Sequence, residues 1–560
     1  MKWGMVWMMI KGTHIDCRGQ KLKAEAVLRV LDDLHDFGYN TVLMEYMDAF
    51  PFDGKLAGLS SEDAYTKEDI RSFTKRAAEL GIELIPLVQT FGHLYWVLNH
   101  EEFMPLAEGY RPDPETGVMP LDEICEENGA MKLKTLCPSH PGSIGLVREM
   151  IRQIRLLHPD SRYFHIGGDE IGMPSCPRCK KRLENETLPE LLASHYGACA
   201  DAVRELGATP IVWCDILLAY PETLELLKGK FAVMDWDYWS DGTPTTSGRL
   251  WGMTDLIHEP DKWPPLQQKL FRPYLYEHEP DLIKPFPFTD LLRDLGYEVI
   301  LASAARCWGD SFCVPMYTHH RNVAAAARKA AASGISGFIV TSWSVRRAPW
   351  PMTEYSLMLA ADGGKDEAAV RRAFALRHFG VEDEELGELP DLLGHASTVA
   401  GECALILNSL NGSSDYRTGR TFSPEYTDDF IGICRDKSIF AEPDKFLESF
   451  GPLREAIPEA RRRLAKAAPG GKYTDLWHWA LDVFELYCDA APRLTEHEIS
   501  PDDAGCLALL SRAEQLKGKT VSLLSTMYTD LTVAGELQCR FSVLIHAIKH
   551  RMGLPYERGD

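Results

Sequence analysis

The sequence predicts an α/β protein, a (β/α)8 TIM barrel followed by an α-helical C-terminal domain. Three observations lead there. Up to about residue 362, short β-rich runs alternate with longer segments of helical period. Eight such β runs can be placed in that stretch. Beyond residue 365 the β signals fade and apolar residues recur at helical spacing. With 560 residues the chain also exceeds the roughly 250 to 300 residues at which a single core stops growing. The expected division is a barrel over 1–362 and a helical domain over 363–560.

In chain order, the strands are expected at 4–10, 40–46, 83–89, 163–166, 210–213, 232–236, 298–302 and 337–342. Helices are expected between them at 21–37, 67–80, 143–157 and 188–206. The segment 239–289, rich in Pro, Trp and Tyr, reads as a long insertion after the sixth strand, and long loops of barrels tend to carry function. In the C-terminal part, helical spacing marks 402–410, 476–488, 504–516 and 521–548, with Gly-Gly-Lys at 470–472 as a break. No internal repeat or low-complexity run interrupts this pattern.

Hydrophobic residues at 45% and charged residues at 25% are those of an ordinary globular protein. A net charge of −22 argues against nucleic acid as a partner, because phosphate binding needs clustered Lys and Arg. The apolar run before Lys11 is too short to span a membrane and lacks a small-residue cleavage site, so it reads as a buried first strand and not a signal peptide. Fourteen scattered cysteines suit a reducing compartment, and the cytoplasm is the expected location.

The strongest chemical signal is His165-Ile166-Gly167-Gly168-Asp169-Glu170. Two glycines allow a tight turn after a β run, and two carboxylates then stand side by side at the catalytic end of a barrel strand. Glycosidases that use a protein nucleophile hold their two carboxyl groups several ångströms apart across the sugar, which adjacent residues do not readily satisfy. Substrate-assisted hydrolysis removes that requirement: the carbonyl oxygen of the sugar's 2-acetamido group attacks, and the protein supplies one carboxylate for the amide and one for the leaving oxygen. Asp169 and Glu170 are the candidate catalytic pair.

This motif resembles that of glycoside hydrolase family 20, the β-N-acetylhexosaminidases. The resemblance is closest to the branch that lacks an extra N-terminal domain and includes hexosaminidase D and bacterial intracellular enzymes. It runs over residues 5–362, through Gly12-Thr13-His14-Ile15-Asp16, Glu45-Tyr46-Met47-Asp48-Ala49-Phe50-Pro51, Leu87-Val88-Gln89-Thr90-Phe91-Gly92-His93 and Leu157-His158-Pro159-Asp160. It implies a retaining exo-β-N-acetylhexosaminidase that releases terminal β-linked GlcNAc and/or GalNAc through an oxazolinium intermediate, with no cofactor required. Asp169 would orient the acetamido N–H and stay ionised. Glu170 would be the general acid and then the base, which asks for a raised pKa in the free enzyme.

The resemblance also supplies the sugar-binding candidates. His93 matches the active-site histidine, and Trp213, Trp236 and Trp343 match an aromatic box around the acetamido methyl group. Tyr238 is the candidate donor to the acetamido carbonyl, since the expected seventh strand ends without a tyrosine. Glu354 resembles a carboxylate that binds O4 and O6. His14, Asp16 and Glu45, at strand ends, are candidate hydroxyl contacts, with packing beneath the site as the alternative, and His165 reads as a brace. Two departures stand out: no arginine follows the expected first strand, and Met47 stands where the branch often has a glutamate.

Cys176, Cys179, His195 and Cys199 form a C-x2-C and H-x3-C pair that allows two readings, a structural zinc or buried thiols of a reducing compartment. The partners expected are a glycan or amino-sugar oligosaccharide substrate, with no nucleic acid and no membrane; the insertion and the helical part leave room for a homodimer. The rival functions are a catalytically silent N-acetylhexosamine-binding barrel and a hydrolase of another 2-acetamido sugar linkage. A metal-dependent hydrolase would need ligands on several strand ends, where only His14 and His93 offer imidazoles.

Overall fold

The computed structural model describes residues 9–98, 100–112, 114–115, 133–245, 260–276, 278–279, 282–307, 310–311, 313–344, 348–399, 443–496 and 498–555. Eight parallel strands close into a barrel in sequence order, β1 Ile10–Asp16, β2 Thr41–Glu45, β3 Glu83–Leu87, β4 Tyr163–His165, β5 Thr209–Trp213, β6 Ala232–Trp236, β7 Val299–Arg306 and β8 Gly337–Ser342. β8 pairs back onto β1, with Gly12 against Ile339 and Thr13 against Val340.

Seven strands lie where the sequence places them, within a few residues. The first is shifted: Ile10 opens β1 instead of closing it, and Thr13 to Asp16 pair with Val42 to Glu45. Residues 4–8 of the expected strand lie outside the described residues. The seventh strand runs on to Arg306 through an irregularity between Ala304 and Arg306.

Alternation along each strand divides the core in two. Leu43, Ile85, Ile211, Met234, Ile300 and Ile339 fill the barrel interior. Val42, Met44, Val212, Val233, Phe338 and Val340 face the surrounding helices. Among those helices, Lys67–Glu79 starts with Thr66 and Asp69 capping one another, and Leu188–Glu205 repeats the device with Thr187 and Glu190.

The later chain is helical, with Glu367–Phe379, Gly451–Leu464, Thr474–Leu494, Ala504–Leu524, Asp530–Leu537 and Val543–Arg551. The expected helix at 402–410 lies outside the described residues, and 521–548 is broken by a turn before Asp530 and a wider turn over Gln538–Ser542. The stretch 528–537 packs on the loops at the barrel's catalytic end. Lys21 N–H donates to Thr532 Oγ1 and Trp350 N–H to Tyr528 Oη, while buried Arg540 pairs with buried Glu536. Among the described residues, no helix is long and apolar enough to cross a membrane.

Candidate active site

The loops after β3 and β4 are built around each other. Thr90 Oγ1 donates to Ile166 O at 2.7 Å, and Gly168 N–H donates to Gln89 Oε1. A Cβ on Gly92 would sit 2.1 Å from Asp169 O, so the loop carrying His93 reaches the carboxylates only because residue 92 has no side chain. Gly167 has φ +62°, and a Cβ there would meet Gln89 Oε1 at 2.0 Å.

The motif delivers three titratable groups to one point. His93 Nε2 lies 3.3 Å from Asp169 Oδ2 and 3.3 Å from Glu170 Oε2. His93 and Glu170 both adopt left-handed backbone, φ 51° and 45°, at a cost of about 1–3 kcal/mol each for residues with a Cβ. The Asp169 side chain is 11% exposed and that of Glu170 is 56% exposed, so the first lies within the pocket and the second at its mouth. Asp169 Oδ1 is buried and accepts no hydrogen bond from the described residues.

The electrostatics bind the three together. Burial opposes a charged imidazole, but Asp169 and then Glu170 outweigh it and push His93 up to about 10. The hydrogen bond from His93, against the effect of burial, holds Glu170 down at about 2, and the charges of His93, Lys134 and Arg18 act the same way. The raised pKa expected for Glu170 is therefore not that of the empty site, because the shared histidine cation stabilises the carboxylate.

Two residues that the sequence reading passed over complete the site. Asp215, just past β5, accepts Glu170 N–H at 2.9 Å through Oδ2 and holds the strained turn. Burial first, and the charge of Asp169 second, push its carboxyl up to about 7. Arg18 follows β1, with its guanidinium carbon 5.4 Å from the centre of the Trp343 ring and its Nη2 3.6 Å from Asp16 Oδ2. The arginine that the sequence reading found missing after the first strand is thus present once β1 is placed at Ile10–Asp16.

The aromatic candidates do gather. Trp213 and Trp343 have ring centres 5.9 Å apart, and Trp236 stacks on Tyr238 at 5.2 Å. All four belong to the interior cluster at the barrel's mouth. Tyr238 is buried there, and burial raises its hydroxyl well above the ordinary range. Trp213 Nε1 is buried without an acceptor among the described residues.

Other candidates are placed elsewhere. Glu354 is buried on the helix Trp350–Asp362, where Arg377 Nε and Nη2 donate to it at 2.5 and 3.1 Å and His378 Nε2 lies 3.0 Å away. It ties that helix to the next one. His14 and Glu45 have no exposed surface; His14 Nε2 lies 3.2 Å from Glu45 Oε2, and Gln89 Nε2 donates to Glu45 Oε1. Asp16 accepts Arg18 N–H and Ser344 N–H. All three are buried. His165 is buried against Trp213 and its Nδ1 accepts Gly167 N–H, bracing the turn as expected.

The four-residue zinc set is also corrected. His195 Nε2 is 3.0 Å from Thr90 O, its ring packs on Phe91, and Cys199 lies beside it. Burial holds His195 down at about 4, so it is a neutral packing group under the β3 loop. Cys176 and Cys179 instead converge with Cys137 and Glu108, which the short-range spacing does not reveal.

Residues 44–249 match the model of glycosyl hydrolase family 20, catalytic domain. Over that segment the chain is similar to a family 20 catalytic domain. His93, Asp169, Glu170, Trp213, Trp236 and Tyr238 lie inside the matched segment; Arg18 and Trp343 flank it. Over 236 residues the chain is 33% identical to hexosaminidase D of Homo sapiens, an alignment covering 41% of this chain and 44% of the relative. Hexosaminidase D of Bos taurus is 32% identical over 239 residues, covering 41% of this chain and 62% of the relative. The chain thus spans less than two thirds of either relative. Among solved structures, the chitobiase of Flavobacterium johnsoniae aligns over 96% of this chain and 78% of its own at 17% identity, with a TM-score of 0.44.

Proposed function

We propose that the chain is a retaining exo-β-N-acetylhexosaminidase that releases terminal β-linked GlcNAc and/or GalNAc by substrate-assisted catalysis. The observation that carries the reading is the buried, unfilled acceptor Asp169 Oδ1 beside the half-exposed carboxylate of Glu170 under the tryptophan cluster. A buried carboxylate oxygen without a donor is costly in the empty protein, and an acetamido N–H would fill it.

In this reading Asp169 holds the amide while its carbonyl oxygen attacks C1. Trp213, Trp236 and Trp343 enclose the acetamido methyl group, Tyr238 steadies the carbonyl oxygen, and Arg18 holds ring hydroxyls. The pair His93 and Glu170 carries one proton below about pH 10. Moved from Nε2 to Oε2, that proton makes Glu170 the acid that protonates the departing glycosidic oxygen. The ionised Glu170 then takes a proton from water, which attacks C1, opens the oxazolinium ring and leaves the β-anomer. These steps use side chains, the sugar's own amide and one water.

The barrel over 1–362 would supply the chemistry and the helices over 363–560 its support. Ten of the described cysteines are buried thiols, which supports a cytoplasmic setting. A nitrophenyl glycoside series with the acetamido methyl hydrogens replaced stepwise by fluorine tests the mechanism. The rate should fall with each fluorine as the carbonyl oxygen becomes a poorer nucleophile; a flat series contradicts it.

A further inference from the structure

Beside the β4 loop, three thiols and a carboxylate converge on one point without a part in the reaction proposed above. Cys137 Sγ lies 3.5 Å from Cys176 Sγ and 3.7 Å from Cys179 Sγ, and Cys179 Sγ lies 3.2 Å from Glu108 Oε2. One donor atom from each residue falls within 4.8 Å of all the others, and all four residues are buried. Zinc bound tetrahedrally at about 2.3 Å from sulfur holds its sulfurs roughly 3.8 Å apart, close to these separations. A disulfide would need about 2 Å between two of the sulfurs and would leave the third thiol beside a buried carboxylate.

The surrounding backbone suits a bound ion. Cys179 N–H points at Cys176 Sγ at 3.5 Å, the amide-to-sulfur contact of a C-x2-C turn, and Cys176 begins the short helix Pro177–Arg182. Glu108 Oε1 is held by Ser175 N–H at 2.6 Å and by Cys176 N–H, which turns Oε2 toward the thiols. Four protein donors leave no open coordination position, the mark of a structural site.

We propose that Glu108, Cys137, Cys176 and Cys179 form a closed structural zinc site that locks the loop carrying His93 to the loop carrying Asp169 and Glu170. Both loops reach it. The segment ending at Cys137 runs along the His93 loop, with Leu136 N–H donating to Phe91 O at 2.8 Å and Leu94 N–H donating to Lys134 O at 2.9 Å. From the other side, Gly172 N–H donates to Thr135 Oγ1 at 2.7 Å, and Cys176 follows within the same β4 loop. Binding displaces three thiol protons and joins the segments in the folded state only, so it adds to stability.

The test is the metal content of the full-length protein, produced with added zinc and dialysed under reducing conditions, followed by zinc-edge X-ray absorption on the same sample. About one zinc per chain is expected, with three sulfurs near 2.3 Å and one oxygen near 2.0 Å. Cys137→Ser and Cys179→Ser should each lower zinc occupancy at least about tenfold under chelator competition. Cys199→Ser should retain it, because Cys199 sits with His195 away from the cluster. The native spectrum decides the matter even where a variant fails to fold. Less than about a tenth of a zinc per chain after reconstitution, a shell of light atoms alone, or equal loss in Cys199→Ser would overturn the site.

Discussion

Two carboxylate clusters in this protein use similar residues to opposite ends. On the helix after β8, Glu354 meets Arg377 and His378 and its acceptors are filled. At the end of β4, Asp169 shares one histidine with Glu170 and leaves Oδ1 empty. Against the effect of burial, hydrogen bonds from His378 and Arg377, with the Arg377 charge behind them, hold Glu354 down at about 2. The first cluster is a completed brace. The second is strained, under-filled and open to the mouth, as expected where a fold spends stability on function.

The comparison breaks most sharply at the reaction itself. Asp169→Asn and Glu170→Gln should each lower kcat by about 10²–10⁴ while the unfolding midpoint stays near that of the native protein. Equal losses of stability would put this cluster in the same class as Glu354. The converse substitution, Glu354→Ala, leaves Arg377 and His378 beside an unfilled space and should cost about 3–5 kcal/mol in urea unfolding. Activity per folded molecule should be unchanged, and a raised KM would return Glu354 to the sugar site.

His93→Gln sharpens the account of the proton. Without the imidazole, the acid proton must sit on Glu170 alone, so the basic limb of kcat/KM should move down by about 2 pH units or more. An unmoved limb would mean that His93 does not share the proton. Asp215 gives a graded effect. Its folded pKa, about 7, is raised above the ordinary 3.8, so its contribution is full below pH 3.8 and is lost as pH rises through about 7. Asp215→Asn should remove a decline of up to about 1.4 kcal/mol per pH unit between those limits, read from urea midpoints. A parallel decline in the variant would assign it to other groups.

Much of this was legible because the chain states it locally. Gly167 and Gly168 must stand before Asp169 and Glu170 for the backbone to make that turn, and the alternating strands show their period directly. β1 was misplaced because the apolar run before Lys11 resembles a strand more than β1 itself, which carries the polar residues Lys11, His14 and Asp16. That shift hid Arg18. Glu354 could not be read because the helix Trp350–Asp362 is buried on nearly every side, so no amphipathic phase tells which residues face the site. Glu108 and Cys137 join Cys176 and Cys179 only through tertiary contacts between two loops, and short-range spacing pointed instead to His195 and Cys199.

The central claim, that Asp169 serves a 2-acetamido group, is tested most directly by the rates on three chromogenic β-glycosides: the N-acetylglucosaminide, the N-acetylgalactosaminide and the plain glucoside. The account predicts cleavage of at least one acetamido sugar, an inert glucoside, and loss of the acetamido activity in Asp169→Asn. Cleavage of the glucoside at a comparable rate, or an Asp169→Asn variant as active as the native protein, would contradict it.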